Sequence, residues 1–458
     1  MQRLFAIAKL TWKAAFRFRL FWVMAGLLLI CVIGLPLLIK DDGTARGFTQ
    51  ILLTYTLSII TTLLGFSTLW LACGTLARDI EEAQMQMVAV KPIARWQIWL
   101  GKWLGLVALN AALLLVAGGS VFILLKWRAT RLPPQQQQVL RNEVFVARGS
   151  LKEAPPDIEG LTESAFREAL SKNPVPPEER EKLRNQIREQ VVARQQLVPP
   201  GYMRRWVIDL GLRKNFLRDE PLFLRVKFFA AQTNATGTYF GQWQFGPPGT
   251  ERVKSFPMSF AADTFHEFAI PSNLSDEQGR LIIEYANYSN TALLFPLDEG
   301  LEVLYREGGF GLNFIRGLLI ILCWLALLSA IGLAAASFLS FPVAAFFSIS
   351  LLILGLSSGT LSTVVSEGTV VGLNHETGAA SSSWIDLIIV PIFRALLKIV
   401  NLVEGFSPVD SLSTGRSITW GQLSLAFAQI VLLLGGVFAV IGISTFTRRE
   451  LATAQLNS

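Results

Sequence analysis

The sequence predicts an α-helical polytopic membrane protein with six transmembrane helices. Between the third and fourth it predicts an extracytoplasmic α+β domain, a helical arm plus a β-sandwich of jelly-roll type. Three observations carry this expectation. Of 458 residues, 52% are hydrophobic and only 16% charged, against about 25% charged in soluble domains. Apolar stretches long enough to cross roughly 30 Å of hydrocarbon at about 1.5 Å per residue flank one long polar stretch, residues 126–310. The net charge of +7 comes largely from Lys and Arg beside apolar segments, a pattern of membrane orientation rather than a nucleic-acid patch.

The first domain is read as residues 1–125. Residues 1–20 set Arg3, Lys9, Lys13, Arg17 and Arg19 among Leu4, Phe5, Ala8, Trp12, Ala15 and Phe16. That spacing gives a helix with one apolar and one basic face, suited to anionic headgroups. The first span follows at about Phe21–Ile39 and ends at Lys40-Asp41-Asp42. No small-x-small cleavage site follows, so it is read as a retained span and not a signal peptide. Basic residues collect inside, which places the N-terminus in the cytoplasm. The second span, about Gln50–Thr75, returns the chain there, and the third, about Leu100–Leu125, leaves again. The charged stretch Leu76–Gly105 between them cannot sit in lipid.

Residues 126–310 contain no spanning segment, and about 185 residues suffice for a folded domain. Positions 158–198 read as helical. A short helix at Leu161–Ser171 is broken by Pro174, Pro176 and Pro177, and a longer one at Glu178–Leu197 sets Leu183, Ile187 and Val191 on one face. Positions 203–307 read as short strands rich in β-branched and aromatic residues, separated by turns such as Phe245-Gly246-Pro247-Pro248-Gly249. This texture suggests a jelly-roll sandwich. Trp243, Tyr239 and Phe245 are read as partly core in preference to an exposed sugar- or lipid-binding surface.

Residues 311–458 hold the remaining spans. Arg316 and Glu367 bound a stretch without charge, too long for one span. It is read as about Phe314–Leu339 and Pro342–Val365, with the turn at Ser340-Phe341-Pro342. Residues 384–403 are apolar but carry Asp386, Pro391, Arg394 and Lys398. Charges near a helix centre cost about 2.5–3.5 kcal/mol each on insertion, so this stretch is read as an interfacial helix on the outer face. The last span is about Trp420–Phe446, and Arg448-Arg449 ends it inside.

The chemistry-bearing residues are sparse. Cys31, Cys73 and Cys323 each fall in an apolar span, and His266 and His375 lack ligand spacing. No phosphate-binding G-x-x-x-x-G-K-[ST] occurs; Gly101-Lys102-Trp103 marks the start of the third span. Glu81 and Glu82 diverge by about 100° on a helix and do not converge on one substrate. The chain is therefore read as a non-enzyme that binds no cofactor, metal or nucleic acid, and that touches membrane lipids.

The pattern Ala77-Arg78-Asp79-Ile80-Glu81-Glu82, Lys91-Pro92-Ile93, Arg95-Trp96-Gln97-Ile98 and Gly101-Lys102 resembles the ABC-2 type permeases, the membrane subunits of ABC exporters. The ending Phe446-Thr447-Arg448-Arg449-Glu450-Leu451 and the six-span order are similar too. Within that family the chain resembles the copper-enzyme-maturation and gliding permeases. Members often carry Gly-Thr after the acidic pair; Ala83-Gln84 stands here. The resemblance covers the spans and not residues 126–310.

The resemblance implies a permease of the bacterial inner membrane, with both termini cytoplasmic. It implies a second permease copy, in a homodimer or heterodimer, and two copies of a separate ATPase that hold ATP and Mg. Its function would be export, or extraction of a substrate from the outer leaflet. It also implies a coupling helix at 76–99 that docks on the ATPase through Arg78, Asp79, Glu81, Glu82, Met85, Lys91, Pro92, Arg95 and Trp96. Negative charge at the start of a helical run suits the helix dipole, methionines offer adaptable contacts, and Arg95-Trp96 can anchor at an interface. A second expectation is ATP-driven work on a periplasmic protein partner through residues 126–310, without transmembrane flux.

Overall fold

The computed structural model describes residues 2–17, 19–38, 44–82, 93–140, 145–172, 176, 180–211, 214–217, 221–271, 273–276, 278–370 and 384–449. The chain divides into two units, Met1–Ala147 with Gly309–Ser458, and Arg148–Gly308. In chain order the helices are α1 (Gln2–Ala15), α2 (Arg19–Leu38), α3 (Ala45–Glu81), α4 (Arg95–Ala129), α5 (Pro134–Val139), α6 (Ile158–Lys172), α7 (Arg180–Gln196) and α8 (Lys214–Leu217). After the strands come α9 (Phe310–Ala336), α10 (Phe341–Leu356), α11 (Ser358–Glu367), α12 (Asp386–Glu404), α13 (Pro408–Ser413) and α14 (Trp420–Arg448).

Among the described residues, four helices are long and apolar enough to cross a membrane: Thr49–Glu81, Arg95–Ala129, Phe310–Ala336 and Trp420–Arg448. The chain is a membrane protein with a separate β domain. Of these four, α9 is the most enclosed, with 72% of its apolar window buried, whereas α14 has only 28% buried and lies at the periphery. The centre is reached by small side chains. A Cβ on Gly332 of α9 would stand 2.6 Å from Cβ of Ala72 in α3, so the two backbones meet directly, as small residues permit between membrane helices. In α14, Gly442 leaves room for the indole of Trp99, whose Nε1 would be 2.7 Å from an added Cβ. The same helix carries a π-helical stretch, Phe427–Gly435, that turns Ile430, Val431 and Leu434 inward.

Several boundaries differ from the sequence reading. α3 continues past Thr75 to Glu81, with Leu76 and Ala77 fully buried. α4 already begins at Arg95. The two ends of the proposed 76–99 helix, 76–81 and 95–99, thus belong to two long helices, α3 and α4; residues 83–92 lie outside the described residues. The apolar run of α2, Phe21–Leu35, is shorter than the four long spans. The straight span foreseen at Pro342–Val365 is two helices, α10 and α11, bent by 69°. Ser357 stands at the break and donates to the carbonyl of Ile353 at 2.9 Å. Finally, α1 does not present its apolar face only to headgroups. Ile7, Thr11 and Ala15 are buried, seated where α4 carries Gly101 and Gly105. A Cβ on Gly101 would lie 2.8 Å from Cβ of Ile7, and one on Gly105 would lie 2.7 Å from the carbonyl oxygen of Ala8.

The second unit is shorter than 126–310. α4 runs on to Ala129, and Leu132 and Leu140 pack with the helical core. Its strands are β1 (Val146–Leu151), β2 (Leu197–Val198), β3 (Met203–Asp209), β4 (Leu222–Val226), β5 (Phe229–Ala230), β6 (Thr238–Phe245), β7 (Lys254–Ala261), β8 (His266–Ile270), β9 (Arg280–Asn287), β10 (Leu293–Leu294) and β11 (Leu301–Gly309). Two four-stranded sheets have the orders β1-β11-β4-β8 and β3-β9-β6-β7, and a small third sheet is β2-β10-β5. With the eight longer strands counted one to eight, these orders are 1-8-3-6 and 2-7-4-5, the strand order of a jelly roll. Alternation along β6 sends Tyr239, Gly241, Trp243 and Phe245 inward. Gly241 is required there, because a Cβ would fall 2.2 Å from the Tyr285 ring. Trp243 and Phe245 are almost wholly buried beside Trp206, Tyr285 and Phe295. On the other sheet Glu302 faces Arg225, and Arg225 faces Glu267, in cross-strand register, with Arg148 completing the row on Glu267. The arm is α6 and α7, tied by Arg184 and Arg188 to Glu159.

The seat of α1 gives a direct test. Gly105→Val should push α1 off α4 at a cost of ~1–3 kcal/mol, as overpacking does. A disulfide engineered between α1 and α4 should then form in the wild-type background and fail in the variant. Equal cross-linking in both would show that the glycines are not what seats α1.

Candidate functional site: the polar collar at one end of the helix bundle

Five helix ends meet at one end of the bundle: the C-termini of α3, α9 and α14 and the N-termini of α4 and α10. An apolar helix end leaves backbone groups without partners, and here charged side chains from neighbouring helices supply them.

Lys102 begins the arrangement. It stands in the third turn of α4 and is buried, with 6% of its surface exposed. A bare ammonium in such surroundings is strongly disfavoured. Its Nζ donates to the carbonyl of Thr75 at 2.6 Å and pairs with Asp79 Oδ2 at 2.5 Å. Both acceptors lie on the last turns of α3, so this one contact fastens α3 to α4 on either side of the 82–94 connection.

Glu81, one residue before that connection, accepts the backbone N–H of Phe341 at 2.8 Å. Ser340 caps α10 with its backbone geometry but not its side chain, and a carboxylate from α3 fills the place at the positive end of the α10 dipole. Arg78 lies 4.3 Å from the centre of the Phe341 ring, and Trp70 meets the same ring edge-on at 5.2 Å. Phe341 is held on three sides by α3.

Arg95, the first residue of α4, reaches the far end of the chain. Its Nη1 shares its two hydrogens among the carbonyls of Phe446, Thr447 and Arg449 at 2.8–2.9 Å. These are carbonyls of the last turn of α14, where a cation is favoured. Arg449 in turn donates to the carbonyl of Ser337 at 3.2 Å, the residue that ends α9.

The collar reassigns several residues expected to face a partner. Asp79, Glu81 and Arg95 are spent on contacts within the chain, and Arg78 is stacked on Phe341. Glu82 and Trp96 are exposed, Trp96 by 47%. Met85, Lys91 and Pro92 lie outside the described residues. Lys102, Phe341, Ser337 and Arg449 are site residues that sequence reasoning missed. Only Lys102 carried a legible signal: a lysine two turns inside an apolar helix needs a counter-ion, and Asp79, Glu81 and Glu82 are the acidic residues just before it; the structure selects Asp79. Among the described residues no group of three or more His, Cys, Asp and Glu could hold a metal ion. Comparison with protein-family models, characterised proteins and solved structures finds no match to this chain.

The Lys102–Asp79 pair should be asymmetric. Its side chains are 8% and 34% exposed. Asp79→Ala strands a buried ammonium and should destabilise the bundle by about 2–3 kcal/mol, below the fully buried range because water reaches Asp79. Lys102→Met leaves only a partly hydrated carboxylate and should cost about 1 kcal/mol or less. Melting of the purified variants in detergent should rank them in that order; the reverse order would mean the pair is not what steadies α3 against α4.

Proposed function

We propose that this chain is the membrane subunit of an ABC transporter of the ABC-2 type, moved by a separate ATPase that docks on the connection between α3 and α4. The observation that carries this reading is the collar. The stems of residues 82–94 are tied to two other helices and to each other: α3 to α10 through Glu81, α4 to α14 through Arg95, and the two stems through Lys102 and Asp79. A push on that connection is delivered at once to α10 and α14, and through Arg449 to α9. The exposed Glu82 and Trp96 are the contacts we assign to the ATPase, with Arg78, Asp79, Glu81 and Arg95 positioning the stems.

In this reading α2, α3, α4, α9, the bent pair α10–α11 and α14 are six spans with both termini in the cytoplasm of a bacterial inner membrane. The collar supports that count, since the five ends it joins are five of the six that the count puts on the cytoplasmic side. Asn313 near the start of α9 also binds Arg416 and Ile418. The chain therefore travels from the collar at Phe341 to the opposite end by residue 416, as a span between them requires. α12 then lies at the outer interface, its Leu387, Ile388 and Ile392 exposed. The functional unit would hold two permease copies and two ATPase subunits, with ATP and Mg bound on the latter, and would export a substrate or draw it from the outer leaflet.

A second reading is ATP-driven work on a periplasmic partner through the 148–308 unit. What favours it is the joint: β11 ends at Gly309 and α9 starts at Phe310, so the innermost helix continues the last strand without a loop.

Purification in mild detergent from native membranes should retain an ATPase with a phosphate-binding loop. Glu82→Lys with Trp96→Ala should lower its recovery at least 10-fold while the chain still inserts and melts as wild type. Absence of any ATPase from the wild-type preparation would overturn the reading. With the ATPase present, ATP-dependent flux in reconstituted vesicles favours transport, and ATP turnover with partner binding but no flux favours the second reading.

A further inference from the structure

The second unit contains a cleft of about 480 Å³ where the end of the arm approaches the start of β3. Small-molecule sites fall between about 300 and 1,000 Å³. Its lining includes Glu153, Arg194 at the end of α7, and the run Tyr202, Met203, Arg204 and Arg205. Along β3 the side chains alternate, with Trp206 and Ile208 buried and Met203, Arg205 and Val207 outward. Arg204 has the parity of the core but stands at the end of the sandwich. Its guanidinium carbon is 4.7 Å from the centre of the Trp206 ring.

Arg204 is held but not satisfied. Its Nη1 is buried and has no hydrogen-bond partner among the described residues. Burial lowers its pKa, and the charge of Glu153 opposes that shift. Glu153 itself accepts the backbone N–H of Val207 at 3.1 Å. Arg205 is paired with Glu284 at 2.6 Å, and Arg194 stands exposed at the rim. With Arg205 neutralised by Glu284, the lining keeps two guanidiniums against one carboxylate. A buried donor without an acceptor is unfavourable by about 1–3 kcal/mol, more when charged, and the guanidinium fork matches carboxylate and phosphate oxygens. Tyr202 and Met203, 67% and 55% exposed, add an aromatic and an apolar wall.

We propose that this cleft binds an organic oxyanion, a carboxylate or phosphate ester carried on a ring-bearing small molecule. The Arg204 guanidinium is the inner cation for the anion, Arg194 is the second cation at the rim, and Tyr202 offers its face to the ring. The site gives the second unit a ligand of its own, independent of how the helices are driven.

The test uses the full chain in nanodiscs of zwitterionic lipid at low salt, titrated calorimetrically with glucuronate, glucose 1-phosphate and neutral glucose. At least one of the two anions should bind saturably, one per chain, at least 10-fold more tightly than glucose; which one does so distinguishes carboxylate from phosphate ester. Arg204→Gln should weaken that binding 10-fold or more, and Arg204→Lys should keep part of it. Arg194→Gln, at an exposed position, should weaken it several-fold, whereas Arg252→Gln in the exposed β6–β7 turn should change nothing. Near-UV circular dichroism checks that the Trp206 environment survives in the Arg204 variants; if it does not, Arg194→Gln decides. The proposal fails if neither anion outbinds glucose, if Arg194→Gln and a folded Arg204→Gln both keep wild-type affinity, or if Arg252→Gln weakens binding equally.

Discussion

An ammonium inside an apolar helix bundle has to be met by acceptors, and this requirement at Lys102 organises the end of the molecule where the helices are joined. Because Thr75 and Asp79 meet it, α3 cannot stop at the last apolar residue of its span but continues to Glu81. That extension puts Glu81 beside the bare N-terminus of α10 and Arg78 over the Phe341 ring. The opposite stem begins at Arg95, which closes the last turn of α14. Removing water makes each of these contacts matter more, since an unmet charge or carbonyl in low dielectric has no alternative partner. The collar is thus a set of mutual obligations among five helix ends, not a surface of spare charges.

The remainder of the bundle depends on close approach. Where burial of apolar surface gives little drive, as within lipid, helices associate by packing and by interhelical hydrogen bonds. Gly332 against Ala72, Gly442 beneath Trp99, and Gly101 with Gly105 beneath α1 are the places where backbones come near enough for that packing. They put α9 at the centre and let α1 ride on α4. α1 is seated in this way on the same segment of α4 that bears Lys102.

The 148–308 unit follows a different rule. Its core is aromatic, and two sheets closed over Trp206, Trp243, Phe245 and Phe295 hide the side chains that would otherwise look like a binding face. What is left for recognition is the end of the sandwich, where the alternation of β3 sends an arginine toward the core side and the core runs out. The cleft there arises from strand register, and it stays positive because, with Arg205 paired to Glu284, Arg204 and Arg194 face Glu153 alone.

Much of the architecture was legible in the chain. Apolar run lengths located α3, α4, α9 and α14, since lipid thickness sets a length that composition must meet. Alternation and turn chemistry marked a β domain, and Trp243, Tyr239 and Phe245 lie in its interior. Helix ends were not legible, because Leu76–Glu81 and Arg95–Leu100 look polar in sequence yet remain helical through contacts made by Asp79, Glu81 and Arg95 with residues 23 to 354 positions away along the chain. Nor could α10–α11 be told from a straight span, since hydropathy is blind to a bend between two apolar helices. The sequence by itself determined what must leave water, because burial of apolar side chains is decided residue by residue. Only the tertiary structure decided where each charge went, because the partner of a charge is set by which backbones can approach, and here glycines at Gly101, Gly105 and Gly332 set that approach.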